Sequence, residues 1–138
     1  MTKPYMAHNR RSFGGMRKDL NDMYFRSAWE ANYARYLNWL ISVGSIVKWE
    51  YEPDTYEFPV KRGNRFYTPD FKIFNDDGSV EYHEIKGYMD QSSRTKLKRM
   101  EKYYPEIKLI LVDKDAYYNI ASVMSAILPE WEKANGRR

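Results

Sequence analysis

The turn Asn75-Asp76-Asp77-Gly78 stands between two extended runs and constrains the fold of this chain more than any other feature. Asn, Asp and Gly adopt the backbone conformations that a tight hairpin demands, so the flanking runs are expected to pair antiparallel. Upstream, the run extends from Arg65 to Phe74, with Pro69 marking a bulge or an edge position because proline lacks a ladder N–H. Downstream, Val80 to Gly87 forms the returning strand.

Earlier in the chain, Val47, Trp49 and Tyr51 alternate with Lys48, Glu50 and Glu52, which is strand spacing, and Pro53-Asp54 makes a turn. Tyr56 and Phe58 continue in the same manner, ahead of the basic loop Lys61-Arg62-Gly63-Asn64. The period is helical on both sides of this block. Ser27-Ala28-Trp29-Glu30 fits a capping box, Trp29, Tyr33, Leu37, Leu40 and Ile41 recur at helical spacing, and Gly44 supplies a stop, which predicts a helix over 27–43. Ser92 or Ser93 caps a second helix over 93–104, with Leu97, Met100 and Tyr104 on one face. Ile107 to Val112 reads as a strand interior to a sheet, and Asp115 as the cap of a last helix carrying Tyr117, Ile120, Ala121, Met124, Ile127 and Leu128. Short turns join antiparallel strands, whereas the strand–helix–strand unit is expected to be parallel and right-handed. The fold class is therefore α/β, in the order αβββαβ plus a C-terminal helix, a mixed sheet flanked by helices.

Composition narrows the function classes. At 138 residues one core is expected, and 17% aromatic residues offer too much buriable surface for a disordered chain. Zero cysteine excludes a disulfide scaffold, a thiolate zinc site and a cysteine nucleophile, while two histidines make a histidine-built metal cluster unlikely to arise. No segment is long and apolar enough for a membrane span or a signal peptide, so a cytoplasmic protein is expected. Residues 1–22 read as a basic arm, 23–134 as a single domain and 135–138 as a polar tail. The net charge is +4, yet Lys3, Arg10, Arg11, Arg17 and Lys18 lie without an acid in the first 18 residues, an asymmetry that suits a polyanion partner. The arm either orders on that partner or only confers solubility.

Asp70 lies near the start of the extended run, and across the hairpin lies Glu84-Ile85-Lys86-Gly87. Alternation puts Glu84 and Lys86 on one face and Ile85 on the other, and the turn brings Asp70 close to Glu84. Two carboxylates with the Ile85 backbone carbonyl are the hard oxygen donors that Mg2+, or Mn2+ in its place, prefers. The Lys86 ammonium is placed to orient an attacking water and to stabilise charge on phosphoryl oxygens. Gly87 leaves room for a bulky substrate. Glu30 is explained by its capping box, yet it also sits at the edge of the apolar helix face, where it can serve as a third carboxylate. His83 alternates away from Glu84 and reads as packing or surface.

Pro69-Asp70 followed by Glu84-Ile85-Lys86, after a helix bearing Glu30 and in the order αβββαβ, resembles the PD-(D/E)XK nuclease superfamily. Tyr67-Thr68-Pro69-Asp70-Phe71 and Glu84-Ile85-Lys86-Gly87, followed by a Lys/Arg-rich helix, are most similar to the phage endonuclease I type of Holliday junction resolvase, and the archaeal-type resolvases share that core. The resemblance covers residues 27–112. It implies a restriction-endonuclease-like core and a metal-dependent endonuclease, with Asp70 and Glu84 binding Mg2+, Lys86 positioning the water and Glu30 helping to hold a metal. It also implies a homodimer that nicks four-way-junction DNA. The longer basic arm and the helix after residue 113 depart from the phage group, which leaves its strand-exchanged dimer open here.

DNA contacts are expected from Arg94, Lys96, Lys98, Arg99 and Lys102 on the second helix, from Lys61, Arg62 and Arg65 in the loop, and from Arg10, Arg11, Arg17 and Lys18 in the arm. The alternatives are a nicking, homing or repair endonuclease acting on linear duplex, or a DNA-binding module without catalysis. Backbone contacts that read shape fit a chain with little room for a separate sequence-reading domain.

Overall fold

Ser27 starts the first helix. Its Oγ accepts the Glu30 N–H at 3.1 Å, which satisfies one of the orphan donors of the opening turn. Helix α1 runs Ala28–Ser42 and stops where Gly44 takes φ 83°, a left-handed conformation that costs glycine little. The expected helix over 27–43 is thus present. The protein is described by a computed structural model covering residues 14–133.

The chain divides into two compact units. The first comprises the described residues up to Val43 together with those from Tyr118 onward, and the second is Gly44–Tyr117. In the first unit, β1 (Gly15–Arg17) and β2 (Met23–Phe25) pair antiparallel around a 3-10 turn at Lys18–Leu20. Of residues 14–22, which the sequence assigns to the arm, Gly15–Arg17 form β1 and Arg17 and Leu20 are buried. The buried residues of α1 include two polar ones, Asn32 and Arg35. Arg35 donates to Asp19 at 2.7 and 2.9 Å and to Glu132 at 2.9 Å. Arg17 grips the same Glu132 through two 2.9 Å hydrogen bonds and is itself buried. Asn32 completes the tie, bonding the Glu132 backbone at both its N–H and its carbonyl at 2.9 Å.

The second unit is built on a mixed sheet in the order β3-β6-β7-β8. Its strands are β3 (Lys48–Tyr51), β6 (Phe71–Phe74), β7 (Val80–Ile85) and β8 (Leu109–Val112). The Asn75–Gly78 turn sets the β6–β7 register, with Phe74 opposite Val80, and β3 pairs antiparallel with the other edge of β6. Helix α2 (Gln91–Tyr103) carries the chain across to β8, which runs parallel to β7. Each extended run breaks in two, the first at the expected Pro53-Asp54 turn and the second beside Pro69. Glu52 takes φ 50° before Pro53, and Thr68-Pro69 interrupts the second run, so β4 (Tyr56–Glu57) and β5 (Phe66–Tyr67) form a hairpin of their own. Phe58 and Tyr67 from that hairpin region pack with Met100 of α2 in one buried cluster.

Three further expectations are corrected. The cap of α2 is Asp90, whose Oδ1 accepts the Ser93 N–H at 2.8 Å, not Ser92 or Ser93. The last helix, α3 (Lys114–Ile127), is capped by Asp113, which accepts the Ala116 N–H at 2.9 Å, not by Asp115. Strand β8 lies at an edge of the described sheet and exposes Ile110 and Leu111, whereas an interior position was expected. A short apolar run reads alike at edge and centre; only its partners distinguish them. Among the described residues, no helix is long and apolar enough to cross a membrane. The tail at 135–138 lies outside the described residues.

The ion-pair cluster of the first unit sets a test. Its arginines hold the Glu132 carboxyl below the usual carboxylate range against the opposing cost of burial, and the Arg35 hydrogen bond does the same for Asp19. Depressed carboxylates stabilise the fold above their unfolded values near about 4 and lose that contribution as pH falls through the folded values. Urea unfolding of the whole chain should therefore show level stability from neutral pH to about 5 and a decline below it. Arg35→Ala should cost about 3 kcal/mol at neutral pH by leaving Glu132 half-paired, and an unchanged midpoint would contradict the assignment.

Candidate metal centre

The register of the sheet assembles an acidic row. Tyr51 lies opposite Phe71 and Phe71 opposite His83, so one residue further along Glu52 faces Asp70 and Asp70 faces Glu84. Residues directly opposite in antiparallel strands share a face. The Glu52 N–H donates to the Asp70 carbonyl at 2.7 Å, which extends the ladder to this row. A carboxylate oxygen of Glu52 comes within 4.8 Å of one from Asp70. All three acids belong to the second unit.

Each carboxylate is positioned by the fold. Asp70 is buried, at 7% exposure, and its Oδ2 accepts the Ile85 N–H at 2.8 Å. Glu84 Oε1 accepts the Tyr67 hydroxyl at 2.7 Å and the Asp70 N–H at 3.3 Å. Burial, then the negative charges of Glu84 and Asp70, push the Tyr67 hydroxyl far above its ordinary value, so it remains a donor throughout the accessible pH range. Glu52 holds its position in the left-handed region, which costs a non-glycine residue on the order of 1–2 kcal/mol. Backbone outliers of this kind gather at functional sites.

The donor set fits a hard divalent cation. Carboxylate oxygens are the hard donors that Mg2+ and Mn2+ prefer. The Ile85 N–H is aimed at Asp70, and in a strand a residue's carbonyl leaves on the same side as its N–H, so that carbonyl is directed to the same edge. Lys86 continues the ladder past Ile85, its N–H donating to the Val112 carbonyl at 3.0 Å, which keeps it on the Glu84 side of the alternation.

A family model matches residues 11–119. The chain belongs to the family described as protein of unknown function (DUF1064). The match spans the acidic row, Lys86 and all of α2, so the candidate centre falls within the part of the chain that defines DUF1064 membership. No curated protein and no solved structure matches the chain.

The other predicted residues lie on several elements. Glu30 lies half-buried on α1 in the first unit, at the position served by the Ser27 cap. His83 points to the opposite face from Glu84 and bonds Glu81 at 2.7 Å, and burial lowers its pKa, in keeping with a packing role. Arg17 is not available to DNA, since its guanidinium is taken up by Glu132 and the Gly15 carbonyl. Lys18 is exposed, and Arg10 and Arg11 lie outside the described residues. Arg65 pairs with Glu57 at 3.0 Å and lies over the Phe66 ring. Arg94, Lys98 and Lys102 are exposed on α2, while Lys96 is half-buried. Arg99 faces the loop at 61–64 instead of solvent alone, donating to the Gly63 and Asn64 carbonyls.

Sequence reasoning missed Glu52 and Tyr67 as site residues. Glu52 reads as the third member of a solvated Lys48/Glu50/Glu52 face, and its place in the row depends on a pairing whose register is set across the whole 52–70 excursion. Tyr67 stands three residues before Asp70, within the motif itself, and an aromatic hydroxyl there was the available signal.

The hydrogen bond from Ile85 to Asp70 predicts different outcomes for two substitutions. Asp70→Asn keeps an acceptor for the buried N–H and removes one charge from the row, so its thermal midpoint should equal or exceed that of the native chain. Asp70→Ala orphans the N–H and should cost about 2 kcal/mol. Equal destabilisation by both variants would contradict this geometry.

Proposed function

We propose that the protein is a metal-dependent endonuclease of the PD-(D/E)XK type, acting on branched DNA. The observation that carries the reading is the row Glu52–Asp70–Glu84, two residues before Lys86, across the ends of β3, β6 and β7 in a mixed sheet whose elements follow the order αβββαβ. Asp70, Glu84, Glu52 and the Ile85 carbonyl would hold Mg2+, or Mn2+ in its place. When bound, such a cation supplies Lewis-acid stabilisation of the phosphodiester under attack.

The remaining work falls to the chain. Lys86 orients the attacking water and stabilises charge on the phosphoryl oxygens; a P–O bond to that water forms as one P–O ester bond breaks, the water releases a proton to solvent and the departing oxygen takes one from it. Tyr67, held protonated, fixes the Glu84 carboxylate through Oε1, the oxygen that also accepts the Asp70 N–H. The exposed cations of α2 and the 61–64 loop supply backbone contacts that follow the shape of DNA rather than its bases. Cutting both strands of a four-way junction requires two centres, so a homodimer belongs to this proposal.

The test compares an end-labelled four-way junction with linear duplex of the same arm sequence, in Mg2+ and in chelator. Paired, Mg2+-dependent nicks near the branch point of the junction alone are the expected result. Asp70→Asn, Glu84→Gln and Glu52→Gln should each reduce cutting by at least about 100-fold while junction binding persists, since losing a carboxylate lessens repulsion of phosphate. Equal cutting of both substrates would discard the junction. Binding with no cutting of either would replace the enzyme with a DNA-binding module.

A further inference from the structure

The loop at 61–64 and α2 are tied together by contacts that sequence spacing does not reveal. Arg99 donates to two successive backbone carbonyls, those of Gly63 and Asn64, the latter at 3.1 Å. Seven residues earlier, on the same flank of the helix, Ser92 donates to the Asn64 side chain at 2.6 Å. Gly63 and Asn64 take φ 69° and 56°, consecutive left-handed conformations that suit these residue types and that a chain rarely holds without restraint. Lys61 and Arg62 project from this fastened loop and are exposed, as are Lys98 and Lys102 on the outer side of α2. Asn64 is three residues, at most about 11 Å of chain, from Tyr67, whose hydroxyl bonds Glu84 of the acidic row.

We propose that the 61–64 loop and the outer face of α2 form one preassembled cationic platform for a duplex phosphate backbone, in which Arg99 is a positioning residue and not itself a phosphate contact. Both hydrogen bonds leave Nη1, whose two N–H groups are fixed in the guanidinium plane, whereas a lysine ammonium turns freely at the end of a flexible stem. Holding Lys61 and Arg62 beside Lys98 and Lys102 before binding removes the ordering cost that a loose loop would bring to the complex. The proposal rests on the nuclease reading for the identity of its polyanion, and the experiment therefore measures binding apart from cleavage.

Binding of a fluorescent 30-base-pair duplex is measured in chelator over a series of salt concentrations, for the whole chain and four variants. Lys61→Ala/Arg62→Ala should reduce the magnitude of the salt slope by about 1.8, at about 0.9 for each phosphate contact. Arg99→Lys, which retains the charge, should weaken binding about tenfold in the native background, the equivalent of one charge-assisted hydrogen bond. In the Lys61→Ala/Arg62→Ala background the same Arg99→Lys change should alter affinity less than about twofold, because the cations it positions are gone. Ser92→Ala should weaken binding in the same direction without touching a charge. An unaltered salt slope in the loop variant, or an Arg99→Lys effect that is absent or equal in both backgrounds, overturns the platform. Salt-dependent, coupled binding with no cleavage in Mg2+ would leave the platform standing and overturn the nuclease.

Discussion

The 2.8 Å hydrogen bond from the Ile85 N–H to Asp70 Oδ2 governs the second unit's geometry. It joins the residue before β6 to the last residue of β7, so the side chain of Asp70 stands in for a ladder partner at the point where the strands part. A buried N–H satisfied by an ionised acceptor is worth about 1.5–3 kcal/mol, and leaving it unsatisfied costs a comparable amount. Because that bond fixes Asp70, the Asp70 N–H reaches Glu84 and the Asp70 carbonyl receives Glu52. One side chain therefore orders three strand ends and gathers carboxylates whose mutual repulsion would otherwise keep them apart. Tyr67 contributes from the neighbouring hairpin, whose own packing against Met100 is apolar.

Much of this was legible in the residues. The Asn75–Gly78 turn sets the pairing of β6 with β7, and pairing with the spacing of Asp70 and Glu84 suffices to predict that these acids meet. The Ser27 cap and Gly44 stop bound α1 for reasons local to the chain, as does the parallel crossover through α2. What the sequence leaves obscure is non-local. The pairing of β3 with β6 spans the 52–70 excursion, and the left-handed turn at Glu52 ends the alternation that makes this residue look solvated. Arg17 resembles other cations of a basic N-terminal segment; its burial depends on Glu132, 115 residues away. The edge position of β8 depends on the absence of a further strand in the described sheet, which its apolar composition does not encode.

Charge serves two distinct purposes in the two units. In the first, Arg17 and Arg35 are consumed internally, offsetting Asp19 and Glu132 and joining the β1–β2 region to the segment that follows α3. In the second, the acids of the row lie at the ends of β3, β6 and β7, and exposed lysines and arginines lie on α2 and its loop. The DUF1064 match extends over both parts of the second unit's charged surface and over the first unit's α1.

Uptake of Mn2+ by the purified chain, followed by electron paramagnetic resonance, tests the central claim that the acidic row holds a divalent cation. The native protein should quench the signal of free Mn2+ in a saturable manner, Mg2+ should compete, and Asp70→Asn should abolish the high-affinity phase while remaining folded. Equal uptake by the native and Asp70→Asn chains would contradict the account and place any bound metal elsewhere.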